Sequence, residues 1–192
     1  RVNDDMSIRI FCDTSDLDEM KRLAPRVDGF TTNPALMRKA GIHDYLDFAR
    51  EAVEVADGKP ISFEAFAFEP EEMERQARLI TQWGDNIYVK IPVTDENGQP
   101  MTGLIYRLLK TGIKVNVTAI LLARQIEGLQ FPPDIKAIVS IFAGRIADTS
   151  RDPAVLVRDA VKALPSFVEV LWASPREVLN IRQAQDAGAH II

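Results

Sequence analysis

The sequence predicts a single-domain α/β protein of the (β/α)8 barrel type, and three observations carry that prediction. Short apolar runs recur eight times along the 192 residues. Segments with helix-start signals lie between them, and strand–helix alternation implies parallel pairing through helical crossovers. Polar side chains fall at the C-terminal ends of the runs, the end at which such a barrel carries its chemistry. An open doubly wound sheet is the alternative arrangement of the same elements. A barrel of this type usually takes about 250 residues, so the repeat here is tight.

In chain order the runs are "IRIFC" (8–12), "DGFTT" (28–32), "ISFEAF" (61–66), "IYVKIP" (87–92), "IKVNVT" (113–118), "IKAIVSIF" (135–142), "FVEVLWA" (167–173) and "GAHII" (188–192). The sequence ends inside the eighth run, so the last helix of a full barrel is absent from it. Among the intervening segments, "SDLDEMKRL" opens with Ser15 and has Asp18 three residues on, a capping-box pattern. "EPEEMERQARLITQW" places Pro70 in its first turn beside acidic residues, which favour a helix N-terminus. "RDPAVLVRDAVKAL" repeats the scheme with Asp152 as cap and Pro153 at the first helical position. No linker, charge block or low-complexity stretch divides the chain, which therefore reads as one domain over 1–192.

The net charge of −5, from 28 acidic and 23 basic residues, gives no sign of a nucleic-acid partner. An anionic ligand must then be held by a local cluster of cations. The single cysteine, Cys12, excludes an intrachain disulfide and fits a reducing compartment. It sits in an apolar run and reads as a small core residue. The opening "RVNDDMSIRI" holds no long apolar segment, so neither a signal peptide nor a membrane helix is expected there. It also lacks an initiating Met, as a stretch of a longer chain would. His43, His190 and Cys12 make no zinc set, and no glycine-rich nucleotide motif occurs. No metal or cofactor is expected.

The polar residues at the strand ends form the candidate site. Asp13 ends the first strand; Thr31, Thr32 and Asn33 follow the second; Glu64, Lys90, and Asn116 with Thr118 lie on the third, fourth and fifth. Arg145 follows the sixth strand, and Ser174 and Arg176 follow the seventh. Polar groups in a poorly solvated region cost free energy unless they bond to each other or to a ligand. A ring of them therefore points to a site. Lys90 stands out because the other lysines fall in helices, in loops or before strands, whereas Lys90 occupies the C-terminal half of an apolar strand. Burial disfavours an ammonium ion relative to the free amine, and a free lysine amine forms a Schiff base with a ketone or aldehyde. A structural ion pair with Glu64 explains the same position. Asp13 and Glu64 are two carboxylates able to divide acid and base work, although Asp13 also suits a helix cap. In "WASPREVLN", Ser174 reads as an N-cap and Pro175 as the first helical residue, a setting that binds phosphate. Arg176 adds a planar donor fork. Arg145 joins it or pairs locally with Asp148. The threonines and asparagines suit sugar hydroxyls or plain turn bonding. Phe142 and Trp172 read as core residues with a role at the rim left open, and Trp83 as helix packing.

The ordered set "DTSD", "GFTTNPALM", "YVKIPVT", "VNVTAI", "FAGRIAD" and "WASPRE" resembles the transaldolase family, from about Ile10 to Ile192. The resemblance implies a (β/α)8 barrel, a Schiff base on Lys90 with a ketose phosphate, and no metal. It implies Asp13 as the acid/base at the sugar hydroxyl whose carbon bond breaks, and Glu64 with Thr118 as holders of a catalytic water. Thr32, Asn33, Asn116 and Phe142 match substrate-binding positions, and Arg145, Ser174 and Arg176 the phosphate set. It further implies sugar-phosphate substrates, no nucleic acid and no membrane, a homo-oligomer, and a cytoplasmic enzyme of the pentose phosphate pathway. The related fructose-6-phosphate aldolases typically carry Gln and Tyr at positions 64 and 142. Glu64 and Phe142 follow the transaldolase choice, which implies transfer of a dihydroxyacetone unit rather than simple aldol cleavage. An aldolase and a non-catalytic sugar-phosphate binder are the alternatives. The sequence departs from the family pattern at "DENGQPMTGL", a longer excursion with a turn at Asn97-Gly98 expected at the rim near Lys90. It departs also at "ASP", "SIFAGR" and the Leu121-Leu122 pair.

Overall fold

A computed structural model describes residues 8–192. Seven strands form one parallel sheet in sequential order: β1 (Phe11–Asp13), β2 (Gly29–Thr31), β3 (Ile61–Glu64), β4 (Ile87–Pro92), β5 (Val115–Ile120), β6 (Ala137–Ile141) and β7 (Val168–Trp172). The eighth run closes the ring, since Ile191 bridges in parallel to both Arg9 and Leu171. The Phe11 N–H donates to the Ile192 carbonyl at 2.8 Å, and the Trp172 N–H to the Ile191 carbonyl at 2.9 Å. This closure, with no reversal in strand order, decides for the barrel over the open doubly wound sheet. The expectation about a leader or membrane helix at the start of the chain falls on residues 1–7, outside the described residues.

Parallel strands covered by helices are buried on both faces and so read as continuous apolar runs. In β4 every residue from Ile87 to Ile91 is buried. Alternate side chains face opposite ways. Val89 and Ile91 join the large core against the helices, while Tyr88 packs with Ile138, Leu171 and Ile191 in a smaller inner cluster. The register sets Glu64 opposite Lys90 and Lys90 opposite Asn116 on neighbouring strands. Three strands thus bring three polar groups to one level of the ring.

The outer layer consists of α1 (Leu17–Leu23), α2 (Pro34–Lys39), α3 (Tyr45–Ala56), α4 (Pro70–Ile80), α5 (Thr102–Lys110), α6 (Ala123–Glu127), α7 (Ala143–Ala147), α8 (Pro153–Ala163) and α9 (Leu179–Asp186). The helix signals work as chemistry. Pro70 opens α4, which buries Met73, Ala77 and Ile80 at helical spacing. Asp152 accepts from the Ala154 N–H at 2.9 Å and Pro153 opens α8. Two start signals need correction. The cap of α1 is Asp16, whose carboxylate accepts from the N–H groups of Asp18 and Glu19. Ser15 is buried one residue before it. The helix after β7 begins at Leu179, not at Ser174. Ser174 has φ +59, outside the conformation of an N-cap. Among the described residues no helix is long and apolar enough to cross a membrane.

Candidate active site

A cavity of about 630 Å3 opens at the C-terminal ends of the strands. Its charged lining groups are Asp13, Arg38, Glu64, Lys90 and Arg145. Lys90 projects into it from the middle of a buried strand, with only 8% of its surface exposed. Its Nζ donates to the Thr32 carbonyl at 3.1 Å and lies 4.0 Å from Glu64 Oε2. The ion-pair alternative is thus partly realised, but at the outer limit of contact. Burial raises the Glu64 carboxyl above its usual value; the Lys90 charge opposes this and Asp13 adds to it. Such a carboxyl holds a proton more readily than an exposed one.

Asp13 ends β1 on the cavity wall and does not cap α1. Its carboxylate accepts from the Thr31 hydroxyl at 2.7 Å and from Asn33 Nδ2 at 3.2 Å. Asn33 performs two tasks at once, because its Oδ1 caps α2 through the Leu36 N–H at 2.9 Å. These bonds orient the carboxylate through neutral donors, and it keeps lone pairs for a further donor. Thr118 lies on β5 across the cavity. Its hydroxyl is buried and has no hydrogen-bond partner among the described residues. Buried hydroxyls are normally satisfied, so this one is left available to a further donor or acceptor. A β-bulge follows it: the β5–β6 register shifts between Val117 and Ile120, and Ala119 takes φ +63. Bulges beside active sites re-aim side chains, and non-glycine residues in this region store strain there.

Not every residue singled out from sequence reaches the cavity. Asn116 is fully buried beneath it, where Nδ2 donates to Ser62 Oγ at 3.1 Å and Oδ1 accepts from Ser140 Oγ at 2.7 Å. It ties three strands together. Thr32 is equally buried, its hydroxyl donating to the Ser62 carbonyl at 2.9 Å while its own carbonyl receives Lys90. On the far side, Phe142, Arg145 and Ser174 line the cavity. Arg145 has no carboxylate within ion-pair distance among the described residues. Arg176 lies outside the lining, because its guanidinium engages both oxygens of Asp148, at 2.7 and 3.4 Å. That contact holds the Asp148 carboxyl below its usual range. The partner considered for Arg145 therefore belongs to Arg176. Cys12 is half-buried and outside the cavity, and burial pushes its thiol up to about 11. It is therefore protonated and a poor nucleophile at neutral pH. The 95–101 excursion forms a small hairpin with Thr94: Thr94 bridges Pro100, and Asp95 accepts from the N–H groups of Asn97 and Gln99. None of these residues lines the cavity.

The sequence reading did not single out Arg38, Ser140 or Ala119 as site residues. Arg38 follows the "TTNPALM" segment, in the last turn of the helix after the second strand. Nothing in the sequence marked the bulge at Ala119.

Residues 10–192 match the family described as "Transaldolase/Fructose-6-phosphate aldolase". The chain belongs to this family. A "Probable transaldolase" of Herpetosiphon aurantiacus is 36% identical over 96% of this chain and 82% of its own length. "Probable transaldolase 2" of Listeria monocytogenes is 33% identical over 96% of this chain and 83% of its own length. Among solved structures, 2,3-dimethylmalate lyase, a member of the PEP mutase/isocitrate lyase superfamily, superposes with a TM-score of 0.59 at 11% identity, covering 97% of this chain and 75% of that one. A likeness at that identity extends to the barrel alone. The transaldolase family supplies the chemistry against which the cavity is read.

Proposed function

We propose that the protein is a transaldolase that moves a dihydroxyacetone unit between sugar phosphates through a Schiff base on Lys90. The observation that carries this reading is Lys90 itself: a lysine on a buried strand, its Nζ in the cavity between a carbonyl and a carboxylate it barely touches. In a donor ketose phosphate, the amine attacks the C2 carbonyl. The resulting carbinolamine loses water to give an iminium, with Glu64 supplying and recovering protons through a water shared with the Thr118 hydroxyl. Asp13 takes the proton of the C4 hydroxyl as the C3–C4 bond breaks. The electron pair of that bond flows into the iminium, and the three-carbon unit stays on Lys90 as an enamine. Addition to an acceptor aldose phosphate runs the same steps in reverse, returning the proton from Asp13.

Arg145 and Ser174 hold the phosphate end in this reading. Arg176 joins them by exchanging Asp148 for phosphate oxygens. Asn33 meets the sugar hydroxyls directly, whereas Asn116 and Thr32 support the wall behind Lys90. Phe142 shapes the side facing Arg145. The setting that fits is the cytoplasmic pentose phosphate pathway, with a homo-oligomeric enzyme. Val178 and Leu179, largely exposed at the start of α9, offer apolar surface for such assembly.

Borohydride reduction in the presence of fructose 6-phosphate tests the mechanism. Intact mass and peptide mapping are expected to locate a reduced three-carbon adduct on Lys90, and Lys90→Met is expected to abolish it. Labelling of a different lysine would refute the assignment. Release of the three-carbon unit without any acceptor, at the rate seen with one, would make the protein an aldolase.

A further inference from the structure

The backbone carbonyl of Glu64 lies where the β2–β3 ladder runs out of donors. The Phe30 N–H donates to the Pro60 carbonyl at 2.8 Å, and the Thr32 N–H to the Ser62 carbonyl at 3.0 Å. The next acceptor in that series is Glu64 and the next donor position is 34. Position 34 is Pro34, which has no N–H. A backbone carbonyl left unpaired away from water costs free energy. Tyr45 supplies the missing donor: its hydroxyl donates to the Glu64 carbonyl at 3.0 Å.

Tyr45 does not line the cavity. It opens α3 behind the sheet, where its ring meets those of Phe63, Phe66 and Trp83 edge to face, with centroids 6.1, 4.5 and 5.2 Å away. The helix that carries it is firmly seated, since Asp44 accepts from the Asp47 N–H at 3.0 Å and Phe48, Ala49 and Ala52 are buried. Burial raises the Tyr45 phenol above its ordinary value, the Glu64 charge adds to this, and the bond to the Glu64 backbone opposes it. The hydroxyl therefore remains a donor throughout the neutral range. Alternation along β3 turns Phe63 out toward Tyr45 and Glu64 in toward Lys90. One hydrogen bond on the outside thus holds the residue whose carboxylate stands inside. The strand ends at Glu64, and on its other side the last bond is long, from the Ala65 N–H to the Lys90 carbonyl at 3.3 Å. Glu64 Oε2 is only just within reach of Lys90 Nζ, at 4.0 Å, so a small retreat of the strand end separates them.

We infer that Tyr45 is a positioning residue for the transfer reaction: its hydroxyl pins the end of β3 so that the Glu64 carboxylate stays buried beside Lys90. The inference rests on the Schiff-base reading, in which Glu64 moves the protons. Tyr45→Phe removes the hydroxyl and keeps the ring, so the aromatic contacts and α3 are retained. Two measurements read its effect. Infrared titration without substrate follows the Glu64 carboxyl, identified as the signal that Glu64→Gln lacks. Borohydride trapping with fructose 6-phosphate follows adduct formation at Lys90 across the acidic and neutral range. The other charged groups of the cavity, Asp13, Arg38, Lys90 and Arg145, are the same in the variant, so a shift reports the setting of Glu64 itself. Once the strand end is released, water reaches Glu64 and its pKa falls toward the ordinary carboxyl value. The acidic limb of trapping should move to lower pH with it, and trapping at neutral pH should slow on the order of tenfold. In the Glu64→Gln background, Tyr45→Phe should add no further loss. A hydroxyl with a merely structural role would lower the melting temperature and leave the Glu64 titration and the acidic limb in place. An unmoved titration, an unchanged trapping rate, or additive losses in the double variant overturns the inference. A wild type that traps nothing at Lys90 overturns the Schiff-base reading instead, and the infrared titration then decides alone: a shifted Glu64 upholds the role of Tyr45 and an unshifted one ends it.

Discussion

Replacing Gly144 with alanine tests how tightly the Arg145 side of the cavity is built. Gly144 stands in the first turn of α7, next to Arg145, and its N–H donates to the Ala173 carbonyl at 3.3 Å. Its backbone is not among the left-handed positions, so alanine meets no conformational obstacle there. The obstacle is space. A Cβ would stand 1.9 Å from the Ser174 carbonyl oxygen and 3.0 Å from its carbonyl carbon. Both are backbone atoms and neither can rotate away. The 173–175 segment or α7 must retreat by at least about 1 Å to regain ordinary contact. Overpacking of this kind costs about 1–3 kcal/mol. A retreat of about 1 Å at a substrate-positioning wall costs up to about 100-fold in rate. The expected variant folds, melts several degrees lower, by roughly 2–10 °C, and forms the Lys90 adduct with fructose 6-phosphate roughly 10- to 100-fold more slowly. Gly103→Ala in α5 serves as control, because the nearest atom to its Cβ is Arg107 Nη1 at 3.8 Å. Its melting temperature should hold or rise slightly, since alanine favours a helix. A Gly144→Ala variant with wild-type melting and wild-type trapping would refute the argument that this contact fixes the cavity wall.

Two further outcomes follow from titrating groups. Burial holds the Glu64 carboxyl above its usual range, so its ionisation opposes folding. That contribution is favourable below the unfolded-state value of about 4.3 and is lost as pH rises through the folded value. Glu64→Gln should therefore gain melting temperature over wild type at pH 8 but not at pH 4, while adduct formation slows and loses its acidic pH limb; an unchanged pH–rate profile would show that Glu64 is only an ion-pair partner. His190 Nδ1 accepts from the Val170 N–H at 2.9 Å in the closing segment, and burial lowers its pKa. Its stabilising effect is complete above the unfolded value of about 6.5 and declines as pH falls toward the folded one, so His190→Asn should flatten the loss of melting temperature between pH 7 and pH 5. A parallel pH dependence in variant and wild type would exclude His190 as its source.

The legibility of the site varied with the range of the forces involved. Lys90 and Glu64 could be found from sequence because a charge inside an apolar strand is anomalous wherever the strand packs. Asp13 was legible as a strand-end carboxylate, but its two readings parted only when Asp16 was seen to cap α1. Arg176 illustrates the opposite case. Its partner Asp148 is 28 residues away, and the bidentate contact exists only because α7 and the segment after β7 meet at the rim. The helix expected to start at Ser174 fails for a related reason. Ser174 is pressed against Gly144 and held at φ +59, so the local cap signal yields to a long-range contact.

The sequence by itself determined the repeat of eight runs, the helices between them and the strand that carries Lys90. Those features depend on hydrophobic period and on caps within a few residues, which no distant contact needs to supply. Only the tertiary structure decided that the sheet closes, through Ile191 between Arg9 and Leu171. It alone brought Arg38 and Arg145 into one cavity lining, sent Asn116 below the cavity rather than into it, and left the Thr118 hydroxyl without a protein partner among the described residues. The physical reason is that ring closure sets which strand ends face one another, and a side chain's role in the cavity depends on what stands across from it.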